Sequence, residues 1–189
     1  MLKTSKIDDL LIQAIINTVK NSSICNSFNN TYKKQKYQLN DILPVILLIL
    51  KNGYAWRFNE YLKINIHWNT IYKVFKKLSD NNIFKNNYIS TLKKYIKKGK
   101  KNTLKFIHSD TSFIYNRYNS DIVKRNSYCK NKNVVKLSII SNSEGIPLNA
   151  KLYSGNINDA KILNDHLDDD LYTDNNNKKY FLADKGYER

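Results

Sequence analysis

The segment LKFIHSD, residues 104–110, decides the fold, because the helical periodicity of the chain gives way there to strand-like patterns. Two of its apolar residues, Phe106 and Ile107, stand side by side in a short run that lacks helical spacing. The run ends in a carboxylate, Asp110, at the point where the predicted strand gives out. We therefore interpret residues 103–189 as an α/β domain that differs in kind from the chain before it.

Three further strands are predicted after this segment. Two of them are joined by a polar turn at residues 141–145, and a helix capped by Asn158 or Asp159 separates them from the last one. The three strands lie at residues 134–141, 146–153 and 179–184. The last strand therefore ends in an acid, Asp184, as the first one does.

The regular parts of residues 1–102 are predicted to be helical. Apolar side chains recur there at intervals of three and four residues, which is the spacing of an amphipathic helix. The predicted helices cover residues 6–20, about 40–51, 69–78 and 83–98. Pro44 is expected in the first turn of the second helix, and Asn69 or Thr70 is expected to open the third. The predicted fold class is α+β, with an all-helical region followed by the α/β domain.

The charge of the chain is large and unevenly distributed. It holds 32 Lys and Arg against 16 Asp and Glu, a net charge of +16. Residues 1–105 carry 20 basic against 5 acidic residues, whereas residues 106–189 carry 12 against 11. A basic helical region indicates a partner with negative charge, and nucleic acid is the first candidate. The competing interpretation is a solvated surface enriched in lysine by codon usage.

The densest basic cluster lies at the end of the fourth predicted helix. Its members are Lys93, Lys94, Lys97, Lys98, Lys100 and Lys101. Helical spacing places positions 93, 97, 100 and 101 on one side, where they can follow one track of DNA phosphates. We predict that this lysine cluster binds duplex DNA without reading its bases.

Composition excludes several classes of protein. The longest apolar run, residues 42–50, is interrupted by Pro44 and is too short to cross a bilayer. The first residues lack the apolar stretch of a signal peptide. Cys25 and Cys129 have no metal-binding or disulfide context and are interpreted as reduced thiols. We expect a soluble, intracellular protein without a membrane partner.

Asp110 and Asp184 form the candidate chemical site, because each follows a short apolar strand. If these strands are neighbours in one sheet, the two carboxylates converge at one edge. Carboxylate oxygens are the ligands that Mg²⁺ prefers, and two such ions can support phosphodiester chemistry. On spacing alone, the structural alternative of acids in turns or helix caps is the stronger one.

A series of short motifs favours the chemical interpretation. They occur in the order HSDTS (108–112), RNS (125–127), KLS (136–138), GIPL (145–148), GNIND (155–159) and ADKGY (183–187), preceded by GYAWR (53–57) and WNTIY (68–72). Together they resemble the DDE transposases of the insertion-sequence four superfamily, most closely the insertion-sequence five group. The resemblance covers residues 39–189, and ADKGY is its strongest member.

The resemblance implies a ribonuclease H-like fold in which Asp110 and Asp184 are catalytic and hold Mg²⁺ or Mn²⁺. It implies double-stranded DNA as the partner, both transposon ends and target DNA, and a location wherever the DNA of the element resides. The family's third acid is a Glu within a Tyr/Arg/Glu/Lys signature, and this sequence stops at Arg189 before such a region. We therefore expect an incomplete ribonuclease H-like domain and a truncated or inactive copy. The alternative is a catalytically dead DNA-binding remnant, and a homodimer remains open.

The other candidate residues have ordinary explanations beside the functional ones. Arg125, Lys130 and Lys185 are placed where they can contact the DNA backbone, although each is also explained as a solvated basic residue. His108 should point to the same face as Asp110 if the strand is regular, as a half-buried sheet histidine. Asp159 is explained by capping of the helix that follows it.

Overall fold

The computed structural model describes residues 6–24, 37–60, 65–98, 104–116, 120–167 and 179–184, and these form a mixed α+β protein. The chain divides into two compact units, Met1–Lys94 and Tyr95–Arg189. The sequence predicts the change from helix to strand at residues 102 and 103. We call the two parts the helical unit and the sheet unit.

Four helices precede the first strand in the described residues. They are α1 (Lys6–Lys20), α2 (Leu39–Asn52), α3 (Trp68–Asp80) and α4 (Ile83–Lys98), with a short 3₁₀ helix at Trp56–Glu60. The predicted bounds of α1 and α4 are confirmed. None of the helices in the described ranges is long and apolar enough to cross a membrane.

The core of the helical unit is aliphatic. Side chains from α1, α2 and α3 meet in one cluster, in which Leu43, Ile46, Ile71 and Leu78 are fully buried. The aromatic ring of Trp56 packs at the border of this cluster. Burial of such side chains contributes about 1.5–3 kcal/mol each, so the unit is held together mainly by apolar packing.

The ends of α2 and α3 differ in part from the predictions. Gly53 ends α2 in the left-handed conformation, as its sequence predicts, but α2 begins at Leu39 with Gln38 as its cap. Pro44 therefore lies in the second turn, not the first, where its missing N–H removes one bond of the helical ladder. The start predicted for α3 is wrong, because the helix begins at Trp68 and its N-cap is His67. The Nδ1 atom of His67 accepts the backbone N–H of Asn69 at 3.2 Å.

The described part of the sheet unit contains the last turn of α4, five strands and one further helix. These are β1 (Phe106–Tyr115), β2 (Lys124–Asn126), β3 (Lys132–Asn142), β4 (Pro147–Ser154), α5 (Asp159–Leu167) and β5 (Tyr180–Ala183), with a 3₁₀ turn at Ser127–Cys129. The predicted hairpin and the last strand are confirmed within two residues at each end. The short strand β2 is absent from the prediction, because three polar residues carry no hydrophobic pattern.

Strand β3 is the centre of the mixed sheet. It pairs antiparallel with β1 on one side, and with both β4 and β2 on the other. Strand β5 pairs parallel with β1 at the opposite side of the sheet. The resulting order places the predicted first and last strands next to each other, which confirms that part of the prediction.

A tight junction joins the end of β4 to β2 and β3. A Cβ atom on Gly155 would lie 2.2 Å from the carbonyl oxygen of Val134, so only glycine fits there. The Asn126 amide donates to the carbonyl of Gly155 at 2.6 Å, and the N–H of Gly155 donates to Ile122. The RNS and GNIND motifs of the sequence therefore meet in one structural junction.

Candidate functional site

The two predicted acids occupy neighbouring positions at one point of the sheet. In the parallel β1–β5 pair, Ser109 lies opposite Ala183. Asp110 is the next residue of β1, and Asp184 is the residue that directly follows β5, so the register brings the backbones of the two acids close together. Neighbouring strands are about 4.8 Å apart, so the backbones of these two acids lie close enough for their carboxylates to meet at one small cation.

The prediction that β1 ends at Asp110 is wrong. The strand continues for five more residues to Tyr115, because β3 keeps pairing with it over that whole length. The strand that ends beside Asp110 is β5, the parallel partner of β1, which stops at Ala183. The acid therefore lies where β1 passes the end of its described parallel neighbour.

The acids lie on the open face of the sheet, opposite the face that α5 covers. Alternation along β1 buries Ile107 and Ser109 and leaves His108 and Asp110 exposed. His108 thus shares the face of Asp110, as predicted, but it is exposed and not half-buried. The exposed position leaves the Asp110 carboxylate accessible to a ligand in solution.

The open face also carries exposed apolar side chains around the acids. Ile139 lies directly across from Asp110 on β3, and Leu182 is two residues before Asp184 on β5. Leu152 on β4 is 56% exposed. When a ligand covers this face and excludes water, the apolar surroundings strengthen the electrostatic interactions of the two carboxylates.

The backbone restrains the side chain of Asp110. Its Oδ1 atom accepts the N–H of Thr111 at 2.8 Å. The Thr111 side chain points to the covered face, where its Oγ1 lies 3.0 Å from Oδ1 of Asp159. The residue that orients Asp110 is therefore itself anchored to the start of α5.

A buried lysine completes this anchor. Lys136 of β3 is 4% exposed, and its Nζ donates to Oδ1 of Asp159 and to the carbonyl of Ile157, both at 2.9 Å. Burial of an ammonium group requires such partners, because an unpaired charge in the interior is costly. We call Thr111, Lys136 and Asp159 the anchor network.

Sequence reasoning missed the anchor network. It explained Asp159 as a helix cap, but Asn158 caps α5 through its Oδ1, which accepts the N–H of Ala160 at 2.9 Å. Asp159 is turned toward the sheet instead. The available signal was Lys136 itself, a charged residue within an otherwise apolar β-branched run.

The residues present fit part of a metal site. Asp110 and Asp184 supply the hard oxygen ligands that Mg²⁺ and Mn²⁺ accept. Within the described ranges, no group of three His, Cys, Asp or Glu side chains is placed to hold a metal ion. Two carboxylates are a usual protein contribution for Mg²⁺, which then keeps several waters.

The predicted lysine cluster is only partly within the described residues. Lys93, Lys94 and Lys97 are exposed on the last turns of α4. Lys98 ends that helix, while Lys100, Lys101 and Lys185 lie outside the described residues. The three described lysines make no ion pair with a described acid, so their charge is available to a partner.

Arg125 lies in β2 and is exposed. Other exposed cations stand near it at the same end of the sheet, on β2, β3 and the turn between them. Sequence reasoning selected Arg125 and Lys130 but not the other cations of this end, because the pairing of β2 with β3 is not visible in the hydrophobic pattern.

Comparisons of this chain with protein-family models, with curated proteins and with solved structures found no match.

Proposed function

We propose that this chain is a DNA transposase of the DDE type, in which Asp110 and Asp184 bind a divalent cation and the basic helical unit binds duplex DNA. The arrangement expected of it is a DNA-binding helical region followed by a ribonuclease H-like domain. The observation that carries the proposal is the parallel pairing of β1 with β5, whose last pair, Ser109 with Ala183, directly precedes the two acids. The order of motifs in the sequence supports it independently.

The chemistry follows from the acids and their surroundings. Divalent ions at such carboxylates activate the attacking oxygen and stabilise the leaving one in phosphodiester cleavage and joining. Asp110 and Asp184 would hold Mg²⁺ or Mn²⁺ through their oxygens. The N–H of Thr111 keeps the Asp110 carboxylate in one orientation, and the neighbouring apolar side chains exclude water when DNA covers the open face.

Metal binding tests the site directly. Mn²⁺ should bind the chain, as measured by electron paramagnetic resonance, and Asp110→Asn or Asp184→Asn should weaken that binding at least tenfold. Asp121→Asn is the matched control, because Asp121 is an exposed acid of the same unit away from the pair. Equal Mn²⁺ affinity in all three variants would refute the proposed metal site.

Salt dependence tests the DNA partner. If the lysine cluster binds phosphates, replacing Lys93, Lys97, Lys100 and Lys101 by Gln should flatten the plot of log K against log salt by about 3–4 units on any duplex. The same replacement at Lys73, Lys76, Lys77 and Lys85, which lie on α3 and at the start of α4, is the control. An unchanged slope in the first variant would instead support a lysine-rich solvated surface.

One observation favours a second function, a DNA-binding protein without catalysis. No third acid joins Asp110 and Asp184 within the described part of the chain. This alternative predicts duplex binding that depends on the lysine cluster together with Mn²⁺ binding that is too weak to detect. The two measurements above therefore separate the two functions.

A further inference from the structure

The end of the sheet beyond Asp110 carries a group of exposed aromatic and basic side chains. They come from the end of β1, from β2, from the turn after it and from the start of β3, and we call them the sheet tip. Its members are Tyr115, Lys124, Arg125, Tyr128, Lys130 and Lys132. Four of the 12 basic residues of positions 106–189 thus fall within nine positions of the chain.

Strand pairing brings these residues together. Tyr115 of β1 and Lys124 of β2 lie on either side of Val134 in β3, so the three strands present them at one level. The Nζ atom of Lys132 lies 5.2 Å from the centre of the Tyr115 ring, in a cation–π contact. Arg125 projects from the same end toward the opposite face, which is the face of Asp110.

The described acids of this unit do not neutralise the cations of the sheet tip. Elsewhere in this unit, Lys136 and Lys151 form ion pairs with Asp159 and Asp165. In the described part of the chain, no carboxylate pairs with Lys124, Arg125, Lys130 or Lys132. Their charge is therefore available to the phosphates of a partner.

The backbone of the turn between β2 and β3 keeps Tyr128 of the sheet tip exposed to solvent. Tyr128 is 86% exposed, and its N–H donates to Oδ1 of Asn126 at 2.9 Å. Lys130 and Asn131 both adopt the left-handed conformation, which non-glycine residues rarely do in succession. Backbone bonds to Ser127 and Asn126 hold them there, and the buried Cys129 anchors the turn. Strained backbone of this kind is concentrated at functional sites.

We propose that the sheet tip binds a single strand of nucleic acid, with a base stacked on Tyr128 and the phosphates on the surrounding cations. An exposed ring in a turn flanked by cations that no described acid pairs with has the combination that proteins use for single strands, where base faces are open to stacking. In a duplex those faces are covered by neighbouring base pairs. The partner class rests on the proposed function, but the binding itself requires no metal and no catalysis.

The position of the tip suits a strand leaving the acid pair. Tyr115 follows Asp110 by five residues of β1, which corresponds to about 17 Å. A strand spaced as in B-form DNA covers that distance in about five nucleotides. The tip would therefore hold the single-stranded end that lies a few nucleotides from the carboxylates.

Fluorescence anisotropy with a labelled 20-nucleotide oligo-dT tests this proposal on the full chain. Tyr128→Ala should weaken binding about 5- to 150-fold, as expected for the loss of one base–aromatic stack. Tyr128→Phe should retain the affinity, because the ring remains. Combined Arg125→Gln, Lys130→Gln and Lys132→Gln should flatten the salt slope by about 2 units, whereas Lys161→Gln, an exposed lysine of the same unit, should flatten it by less than 1.

Unchanged affinity in both the Tyr128→Ala and the triple variant, with folded protein verified by circular dichroism, would overturn the proposal. So would an equal loss on a 20-base-pair duplex, since the tip would then not select single strands. A second titration, with oligo-U, identifies the sugar of the bound strand. Tighter binding of oligo-dT than of oligo-U supports DNA as the ligand, and equal binding supports a single strand of either kind. The single-strand measurements do not depend on the Mn²⁺ and duplex measurements above. Failure of the proposed function and failure of this proposal can therefore be told apart.

Discussion

The helical unit and the sheet unit bury different kinds of side chain. The helical core is built from Ile, Leu and Val, and Asn87 is the one buried polar residue described in that unit. The covered face of the sheet instead buries Ser109, Lys136, Ser138 and Asn142 among its aliphatic residues. The first unit needs only a consistent apolar stripe on each helix, whereas the second needs a specific partner for every buried polar group.

The polar residues of the sheet unit are concentrated where the structure must be held in place. Asn142 accepts the N–H groups of Glu144 and Ile146 and so closes the β3–β4 turn. Lys136 and Asp159 fix α5 against β1 and β3. Apolar packing alone tolerates small shifts, but hydrogen bonds of defined geometry do not. The unit that carries the candidate chemistry is therefore also the one that polar contacts hold in position.

The largest effect is expected from Asp159→Ala. Removing this carboxylate leaves the buried Lys136 ammonium without its charged partner, which costs about 3–5 kcal/mol in the free energy of unfolding. Urea denaturation followed by circular dichroism measures the loss. The double change Lys136→Met with Asp159→Ala should recover most of it, because no unpaired charge remains. Equal stability of Asp159→Ala and the parent protein would show that apolar packing holds this unit too.

Leu43→Ala tests the other half of the comparison. The side chain of Leu43 is fully buried, and its truncation should cost about 2–5 kcal/mol through lost burial and a cavity. Both tryptophans of the chain, Trp56 and Trp68, belong to the helical unit, so tryptophan fluorescence reports the unfolding of that unit. Leu50→Ala on the same helix is the control, since Leu50 is 47% exposed and its loss should cost about 0.5 kcal/mol or less.

Two glycine substitutions in the sheet unit distinguish the cost of close packing from the cost of a left-handed backbone. Gly155→Ala should cost about 3 kcal/mol, because the new Cβ meets a main-chain oxygen of the central strand that cannot move aside. Gly145→Ala has open space around it and a left-handed backbone, so it should cost about 1 kcal/mol. Thermal unfolding of both variants measures the difference. A larger loss for Gly145→Ala would contradict the tight β4–β2 junction.

The smallest effect concerns Tyr95 and the β3–β4 turn. The Tyr95 hydroxyl donates to Oε2 of Glu144 at 2.6 Å, and this bond raises the pKa of Tyr95 above its ordinary value of 10.0. A raised pKa means that the contact stabilises the fold below pH 10 and is lost as the pH rises through the raised value. Glu144→Gln should lower the pKa of Tyr95, measured by carbon-13 NMR of labelled tyrosine. Tyr88, whose pKa is raised by burial, is the control and should keep its value.

Much of the fold could be predicted because it depends on near neighbours along the chain. Helices α1 and α4 follow from apolar spacing, the end of α2 from Gly53, and the β3–β4 hairpin from its polar turn. The errors arose where a distant partner decides the outcome. His67 rather than Asn69 caps α3, and β1 extends past Asp110 because β3 continues beside it.

The sequence by itself determined the change from helices to strands, the uneven charge and the two acids that each follow an apolar strand. Only the tertiary structure decided that these acids lie at adjacent points of the sheet, because parallel pairing joins residues that are 74 positions apart along the chain. It also decided the role of Asp159, whose partners Lys136 and Thr111 lie 23 and 48 residues away. Local patterns report the preferences of a segment, whereas the partners of a side chain depend on which strands pair and in what register.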